Sequence, residues 1–105
     1  MAYRWPDKDP DETADFSVDW SRFIPETTLS AASWFIKNAS GVKTAVNNAD
    51  VVDGLQFVAS TVTGKVVTVR FAQGTLNKSY TTVCRITTGD GLSYERSIVL
   101  RIKEK

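Results

Sequence analysis

A two-residue alternation of apolar and polar side chains in the second half of the chain restricts the fold more than any other feature of the sequence. The alternation runs through residues 65–71, 80–87 and 92–102. This is the period of a β-strand with one buried face, because successive side chains on a strand point to opposite faces of its sheet. Gly89-Asp90-Gly91 lies between the last two segments and is typical of a β-hairpin turn. The second half therefore predicts three strands, of which the last two form a hairpin.

The first half carries the same period over shorter stretches. Strands are predicted, in chain order, at residues 14–20, 28–37 and 42–46 and through Leu55, Phe57 and Ala59. Seven short strands separated by turn residues, with no convincing helix, are typical of a small β-sandwich. We expect an all-β chain with a single immunoglobulin-like antiparallel β-sandwich of about seven strands over residues 14–105, although a small barrel gives the same periodicity. The Tyr80-x-Thr82-x-Cys84 run near the start of the sixth strand resembles the place where such sandwiches keep a tyrosine corner.

Residues 1–13 show neither a strand period nor a helix period. They contain two prolines, alternating charges and two isolated aromatic residues, Tyr3 and Trp5. Pro6 and Pro10 fix their own φ and favour extended backbone in the residues before them, so an extended N-terminal docking arm is predicted ahead of the sandwich. Trp5 has no core of its own within this polar arm. It therefore either folds back onto the sandwich or inserts into a partner.

The composition excludes most catalytic and metal-binding chemistry. The 105 residues include no His and one Cys, so the chain lacks the Ser-His and Cys-His nucleophile pairs and the ligands of a structural zinc site. The Asp7-x-Asp9-x-Asp11 motif copies the start of a calcium loop, but Glu12 and Val18 stand where that loop needs Gly and Glu. We predict no enzyme, no cofactor, no metal site and no small-molecule substrate. Cys84 is predicted to be a buried, inert thiol.

Charge and hydropathy restrict the partners. The longest apolar stretches have two or three residues, far short of a membrane span, and residues 1–20 lack the apolar run of an export signal. No membrane is therefore predicted as a partner. The arginines that come closest to forming a basic patch are Arg70, Arg85, Arg96 and Arg101. They are dispersed over both faces of their strands, so no nucleic acid is predicted as a partner either. Residues 1–26 include seven acidic and three basic residues, whereas residues 27–105 include five acidic and ten basic residues. The two parts are therefore expected to face different partners.

Several motifs occur in the order that they take in one known family. They are Arg4-Trp5-Pro6, Lys8-Asp9-Pro10-Asp11-Glu12, Asp15-Phe16 and Val18-Asp19-Trp20-Ser21, followed by Trp34, Arg85-Ile86-Thr87-Thr88, Asp90-Gly91 and Arg96-Ser97-Ile98. In these motifs the chain resembles the phage fiber-tail adaptor proteins. Residues 41–78 match that family only in strand character, and Asp7 stands where a second proline is expected.

The resemblance implies a non-enzymatic structural virion protein of a bacteriophage tail, assembled in the host bacterial cytoplasm. Such an adaptor joins tail fibres to the tail through protein-protein contacts, with several copies in a symmetric assembly. Residues 4–12 are the expected docking element, with Trp5 as its anchor and its carboxylates setting the register. The expected partner-binding residues are Arg4, Trp5, Pro6, Lys8, Asp9, Pro10, Asp11 and Glu12. A small carbohydrate or cell-surface binding β-sandwich module is the alternative function.

Overall fold

The strands of the chain lie largely where the alternation predicts them. The computed structural model describes residues 3–24, 27–37, 40–47 and 49–104, and these residues form no helix. The described strands are β1 (Tyr3–Arg4), β2 (Thr13–Asp19), β3 (Leu29–Lys37), β4 (Lys43–Val46), β5 (Val51–Val52), β6 (Leu55–Thr63), β7 (Val66–Gln73), β8 (Ser79–Thr88) and β9 (Ser93–Arg101). The two-residue strands β1 and β5 are not predicted from the sequence, because two residues are too few to show a period.

The strands form two sheets. The first sheet has the order β1-β9-β8-β3-β4 and the second the order β2-β7-β6-β5. Every neighbouring pair is antiparallel except β1 and β9, which are parallel. The prediction of an all-β chain with antiparallel sheets is therefore confirmed, and the parallel pairing of the arm is an addition to it.

The turn predicted at Gly89-Asp90-Gly91 joins β8 to β9. Gly91 has a φ of 88°, a left-handed conformation that glycine adopts without steric cost. The Thr88 N–H donates to the Leu92 carbonyl over 2.8 Å, and the Leu92 N–H donates to the Thr88 hydroxyl over 3.2 Å. From this turn the two strands pair along their length without a register shift. The hairpin places β8 at the centre of the first sheet.

The inner faces of the two sheets share one hydrophobic core. Trp34 of the first sheet meets Phe71 of the second edge to face, with ring centroids 6.2 Å apart. The hydrophobic side chains that are less than 2% exposed occupy the positions that the alternation assigns to the buried face; the largest are Trp20, Tyr80, Phe71, Ile36, Leu55, Ile86, Ile98, Leu100, Ile102, Val67 and Val69. Leu92 and Tyr94 share that face in the sequence pattern but are exposed, because they lie next to the turn at one end of the core.

Tyr80 closes one end of the core with its hydroxyl group. The Tyr80 O–H donates to the Asp53 carbonyl over 2.7 Å and accepts the Thr75 N–H over 2.9 Å. The side chain itself is fully buried. The hydroxyl thus ties the turn between β5 and β6 to the loop before β8, which is the geometry of a tyrosine corner.

Replacing Tyr80 with phenylalanine tests this link. The ring keeps its packing, whereas the Asp53 carbonyl loses a donor and the Thr75 N–H loses an acceptor. We expect the free energy of unfolding to fall by about 1–3 kcal/mol, the usual cost of leaving buried polar groups unpaired. Urea unfolding followed by tryptophan fluorescence measures the change. Tyr94→Phe is the matched control, and an equal loss of stability in both variants would contradict the role of the Tyr80 hydroxyl.

Cys84 lies on the inner face of β8 and is fully buried. Burial raises the pKa of the Cys84 thiol to about 12, against weaker lowering effects of the neighbouring Trp20 side chain and of the Arg96 cation. The thiol is therefore protonated at neutral pH and is not a nucleophile in the folded chain. The prediction of a buried thiol at this position is confirmed.

Candidate docking surface

The predicted arm lies along the edge of the first sheet. The Trp5 N–H donates to the Val99 carbonyl over 3.0 Å, and the Lys8 N–H donates to the Arg101 carbonyl over 2.9 Å. The Lys103 N–H returns a hydrogen bond to the Lys8 carbonyl over 2.8 Å. The arm therefore continues the sheet as a strand beside β9. Of the two expectations for Trp5, folding back onto the sandwich is the one that the structure shows.

Trp5 is part of the core. Its side chain is 9% exposed and stacks on Phe16 with ring centroids 4.9 Å apart. The rings of Trp34 and Phe71 lie 5.8 and 6.1 Å from it. The indole N–H donates to the Ser17 carbonyl over 3.1 Å, which satisfies the one polar group of the ring. Trp5 thus enters from the edge of the first sheet and contacts the second, and in this conformation it holds the two sheets together.

Lys8 is buried as well, although it is charged. Its Nζ donates to the Gln73 carbonyl over 2.6 Å and to the Asp9 carbonyl over 2.9 Å. A buried ammonium group needs such partners, because desolvation of an unpaired charge is costly. Gln73 has a φ of 63° and ends β7. Lys8 therefore fixes the arm to the loop between β7 and β8.

The carboxylates of Asp9 and Glu12 shape a turn within the arm. The Asp9 side chain accepts the Asp11 N–H, and the Glu12 side chain accepts the Asp9 N–H, each over 2.8 Å. The Glu12 N–H also donates to the Asp9 carbonyl over 3.0 Å, with Pro10 at the second position of the turn, where proline is favoured. These two acidic residues serve the arm's own conformation.

The outward side of the arm is formed by the remaining predicted residues. Arg4, Pro6 and Asp11 are exposed. Arg4 Nη2 lies 3.1 Å from Asp7 Oδ1, an exposed ion pair that contributes little to stability. Together with the half-buried Asp7, the three exposed residues form a strip that a neighbouring protein can touch without unfolding the arm; it consists of Arg4, Pro6, Asp7 and Asp11. We call it the arm strip.

A second charged surface lies on the outer face of the first sheet; we call it the Phe35 cluster, and it consists of Phe35, Lys43, Arg85 and Glu95. Lys43 and Arg85 flank the Phe35 ring, with Nζ 5.0 Å and Cζ 4.8 Å from the ring centroid. Both cations also hold the Glu95 carboxylate, which lies 3.0 Å from Lys43 and 2.5 Å from Arg85. Hydrogen bonds from Lys43 and then Arg85 lower the pKa of Glu95 below its usual value. The sequence does not reveal this cluster, because its members come from four different strands.

Two other arginines of the candidate basic patch, Arg70 and Arg96, lie on separate surfaces. Arg70 Nε is 2.7 Å from Asp15 Oδ1 on the outer face of the second sheet, and this hydrogen bond lowers the pKa of Asp15. The Arg96 guanidinium packs at one end of the core, with Cζ 3.9 Å from the Phe23 centroid. Arg70 and Arg96 are therefore held by different neighbours and do not extend the Phe35 cluster.

The described part of the chain holds neither a cluster of metal ligands nor a membrane-spanning helix. Within residues 3–24, 27–37, 40–47 and 49–104, no three His, Cys, Asp or Glu side chains come together as a metal site would require. In the same residues there is no helix with the length and hydropathy to cross a bilayer.

Comparison with known proteins identifies the family. A model of the family described as podophage GP4 fiber-tail adaptor protein gp77 matches residues 8–101. The chain belongs to this family. The resemblance predicted from the motifs is thus confirmed, and the fiber-tail adaptor family places the chain among the structural proteins of the phage tail. No curated protein matches this adaptor.

The matched range divides the arm of the adaptor into two parts. It begins at Lys8, the buried residue that fixes the arm, and it ends at Arg101, whose carbonyl accepts the Lys8 N–H. The range includes the turn formed by Asp9 to Glu12. It leaves out Arg4, Trp5 and Pro6, although Trp5 packs in the core of this adaptor.

Proposed function

We propose that the chain joins tail fibres to the tail as a non-catalytic adaptor that acts through protein-protein contacts. The family match over residues 8–101 carries this proposal. The arm strip and the Phe35 cluster support it, because both present exposed charges beside apolar groups, as the rims of protein interfaces do.

The chain consists of an arm, residues 1–13, and a sandwich, residues 14–105. Residues 4–12 of the arm are the docking element, and their roles differ with their burial. The arm strip contacts the partner, while the buried Trp5 and Lys8 hold the strip in place. The turn residues set the direction of the chain between them; they are Asp9, Pro10 and Glu12. A pre-ordered docking element of this kind loses less conformational entropy on binding than a mobile one.

Three further features belong to this proposal. Several copies take part in a symmetric assembly within the virion tail, because an adaptor is repeated as often as the fibre that it holds. Assembly occurs in the host bacterial cytoplasm. The sandwich is of the immunoglobulin-like type, which the tyrosine corner at Tyr80 supports.

Exchanging the two members of an arm ion pair tests the docking element. In the Arg4→Asp, Asp7→Arg variant the ion pair and the net charge are kept, but the charges seen by a partner are reversed. We expect affinity for the purified tail or fibre protein of the same phage to fall by about tenfold or more, since like charges then meet across the interface. Isothermal titration calorimetry measures this change.

The matched control is the Asp15→Arg, Arg70→Asp variant, which exchanges an exposed ion pair on the second sheet. Unchanged binding by the arm variant, or an equal loss in both, would remove the docking role from the arm. Binding of the isolated chain to glycans in the absence of binding to either phage protein would favour the carbohydrate-binding alternative.

A further inference from the structure

We infer that the chain accepts an extended segment of a neighbouring tail or fibre protein as an added β-strand, in a groove between the open edges of β3 and β6. The inference rests on the proposed adaptor function and gives it a contact surface away from the arm. We call this groove the strand groove; it is lined by Leu29, Ala32, Trp34, Phe57, Ser60 and Val62.

Both sheets have an open edge on this side of the molecule. β4 pairs with β3 only from Trp34 to Lys37, so residues 29–33 have β8 on one side and no described strand on the other. β5 pairs with β6 only at Leu55 and Gln56, which leaves residues 59–63 paired with β7 alone among the described strands. Such edges present unpaired backbone N–H and C=O groups, which are a template for another strand.

Two cavities follow one another between these edges. One of about 410 Å³ lies where Ala32 and Trp34 face Phe57 and Ser60. The other, of about 390 Å³, lies where Leu29 faces Val62. Along β3 the second cavity comes before the first, and along β6 it comes after it. This is the order expected for two strands that run in opposite directions past each other. The first cavity begins where β4 ends its pairing with β3, since Ala45 and Val46 of β4 also line it. From there the two cavities follow the open parts of β3 and β6, which is the footprint of an extended peptide.

The lining of the groove selects the side chains of the occupant. The Trp34 indole N–H donates to the Ser60 hydroxyl over 2.9 Å and closes the floor between the sheets. Ala32 and Ser60 are small, so space remains above them for side chains that enter from outside. Alternate side chains of an added strand would point into this space. A helix does not fit these requirements, because its own backbone hydrogen bonds would leave the open edges unpaired.

The charges around the groove add a second selection. Lys65 is the one ionisable side chain among the described residues that line the two cavities. Lys43 and Arg85 lie on the outer face and hold Glu95, so they add no charge to the groove. The fitting partner is thus an extended segment with small apolar residues at alternate positions and an acidic residue at the end that reaches Lys65, so that backbone pairing supplies affinity and charge supplies specificity.

Hydrogen exchange on the full chain tests this assignment, first alone and then in complex with the purified tail or fibre protein that binds it. Among residues 29–33 and 59–63, the amides that point away from β8 and β7 should exchange at least about tenfold more slowly in the complex. A complex that leaves these amides unprotected would overturn the groove and leave the adaptor function standing. No binding to either protein would overturn both. The same protection in the chain alone, with a dimer in sedimentation, would assign the groove to a second copy instead.

Two adjacent alanines of β3 provide matched variants. Ala32 is half-buried and lines the groove, whereas Ala31 is exposed and does not line it. Ala32→Arg should weaken binding by about tenfold or more, and Ala31→Arg should change it by less than about twofold. If thermal melting shows that Ala32→Arg does not fold, Ala32→Val fills part of the same space with an apolar side chain. Equal affinity of the folded Ala32 variant and the Ala31 control would contradict the proposal.

Discussion

Replacing Trp5 with alanine should lower the free energy of unfolding by about 3–5 kcal/mol, the usual cost of removing a large aromatic side chain from a core. The residue lies in a polar segment that contains two prolines, where a substitution would ordinarily be mild. Its indole instead packs against Phe16, Trp34 and Phe71. Removing it opens a cavity between the two sheets and leaves the Ser17 carbonyl without its donor.

Two variants bracket this result. Trp5→Phe keeps an aromatic ring but loses the hydrogen bond to Ser17, so we expect a loss of about 1–2 kcal/mol. Pro6→Ala changes the next residue, which is exposed, and should alter stability by less than about 0.5 kcal/mol. Urea unfolding monitored by circular dichroism compares all three. If Trp5→Ala matched Pro6→Ala, the indole would be free in solution, and its role would return to that of a partner anchor.

Replacing Lys8 with alanine should lower the free energy of unfolding by about 2–4 kcal/mol, which is unusual for a lysine. The Lys8 ammonium group is the donor to the Gln73 and Asp9 carbonyls. Without it, both lose this donor, and the space of the aliphatic stem is left empty. The loop between β7 and β8 also loses its link to the arm.

Lys8→Met separates the two causes, because it keeps the apolar stem and removes the ammonium group. We expect Lys8→Met to lower the free energy of unfolding by about half as much as Lys8→Ala, because only the hydrogen bonds of the ammonium group are lost. Lys103→Ala is the control. Lys103 is partly exposed and contacts the Lys8 carbonyl only through its backbone N–H, so its replacement should change the free energy of unfolding by less than about 0.5 kcal/mol. Equal stability of the Lys8→Ala and Lys103→Ala variants would show that Lys8 is not buried in solution.

Local pattern was sufficient for much of the fold. The β8–β9 hairpin follows from alternation together with a glycine turn, and both are properties of neighbouring residues. The same alternation places Tyr80 and Cys84 on one face, so their burial follows once that face is assigned to the core. The seven longer strands were predictable because each is long enough to show the period.

The features that position the candidate docking surface depend on residues far apart in the chain. The pairing of β1 with β9 joins Tyr3 to Ile98, and no local signal encodes a parallel contact at that separation. The burial of Lys8 runs against the general exposure of lysine and depends on a carbonyl 65 residues away. The strand groove was hidden for a related reason, since it arises where β4 and β5 stop short of their neighbours.

The parallel pairing of the arm with β9 also determines how this part of the molecule would respond to tension. A force that draws Tyr3 one way and Lys103 the other would act along the two strands and not across them. The hydrogen bonds of Trp5, Lys8 and Lys103 would then be stretched together, since none of them could open before the others. An antiparallel pair pulled at one end would instead unzip bond by bond. The arm is thus joined to the sheet in the orientation that best withstands a pull along it.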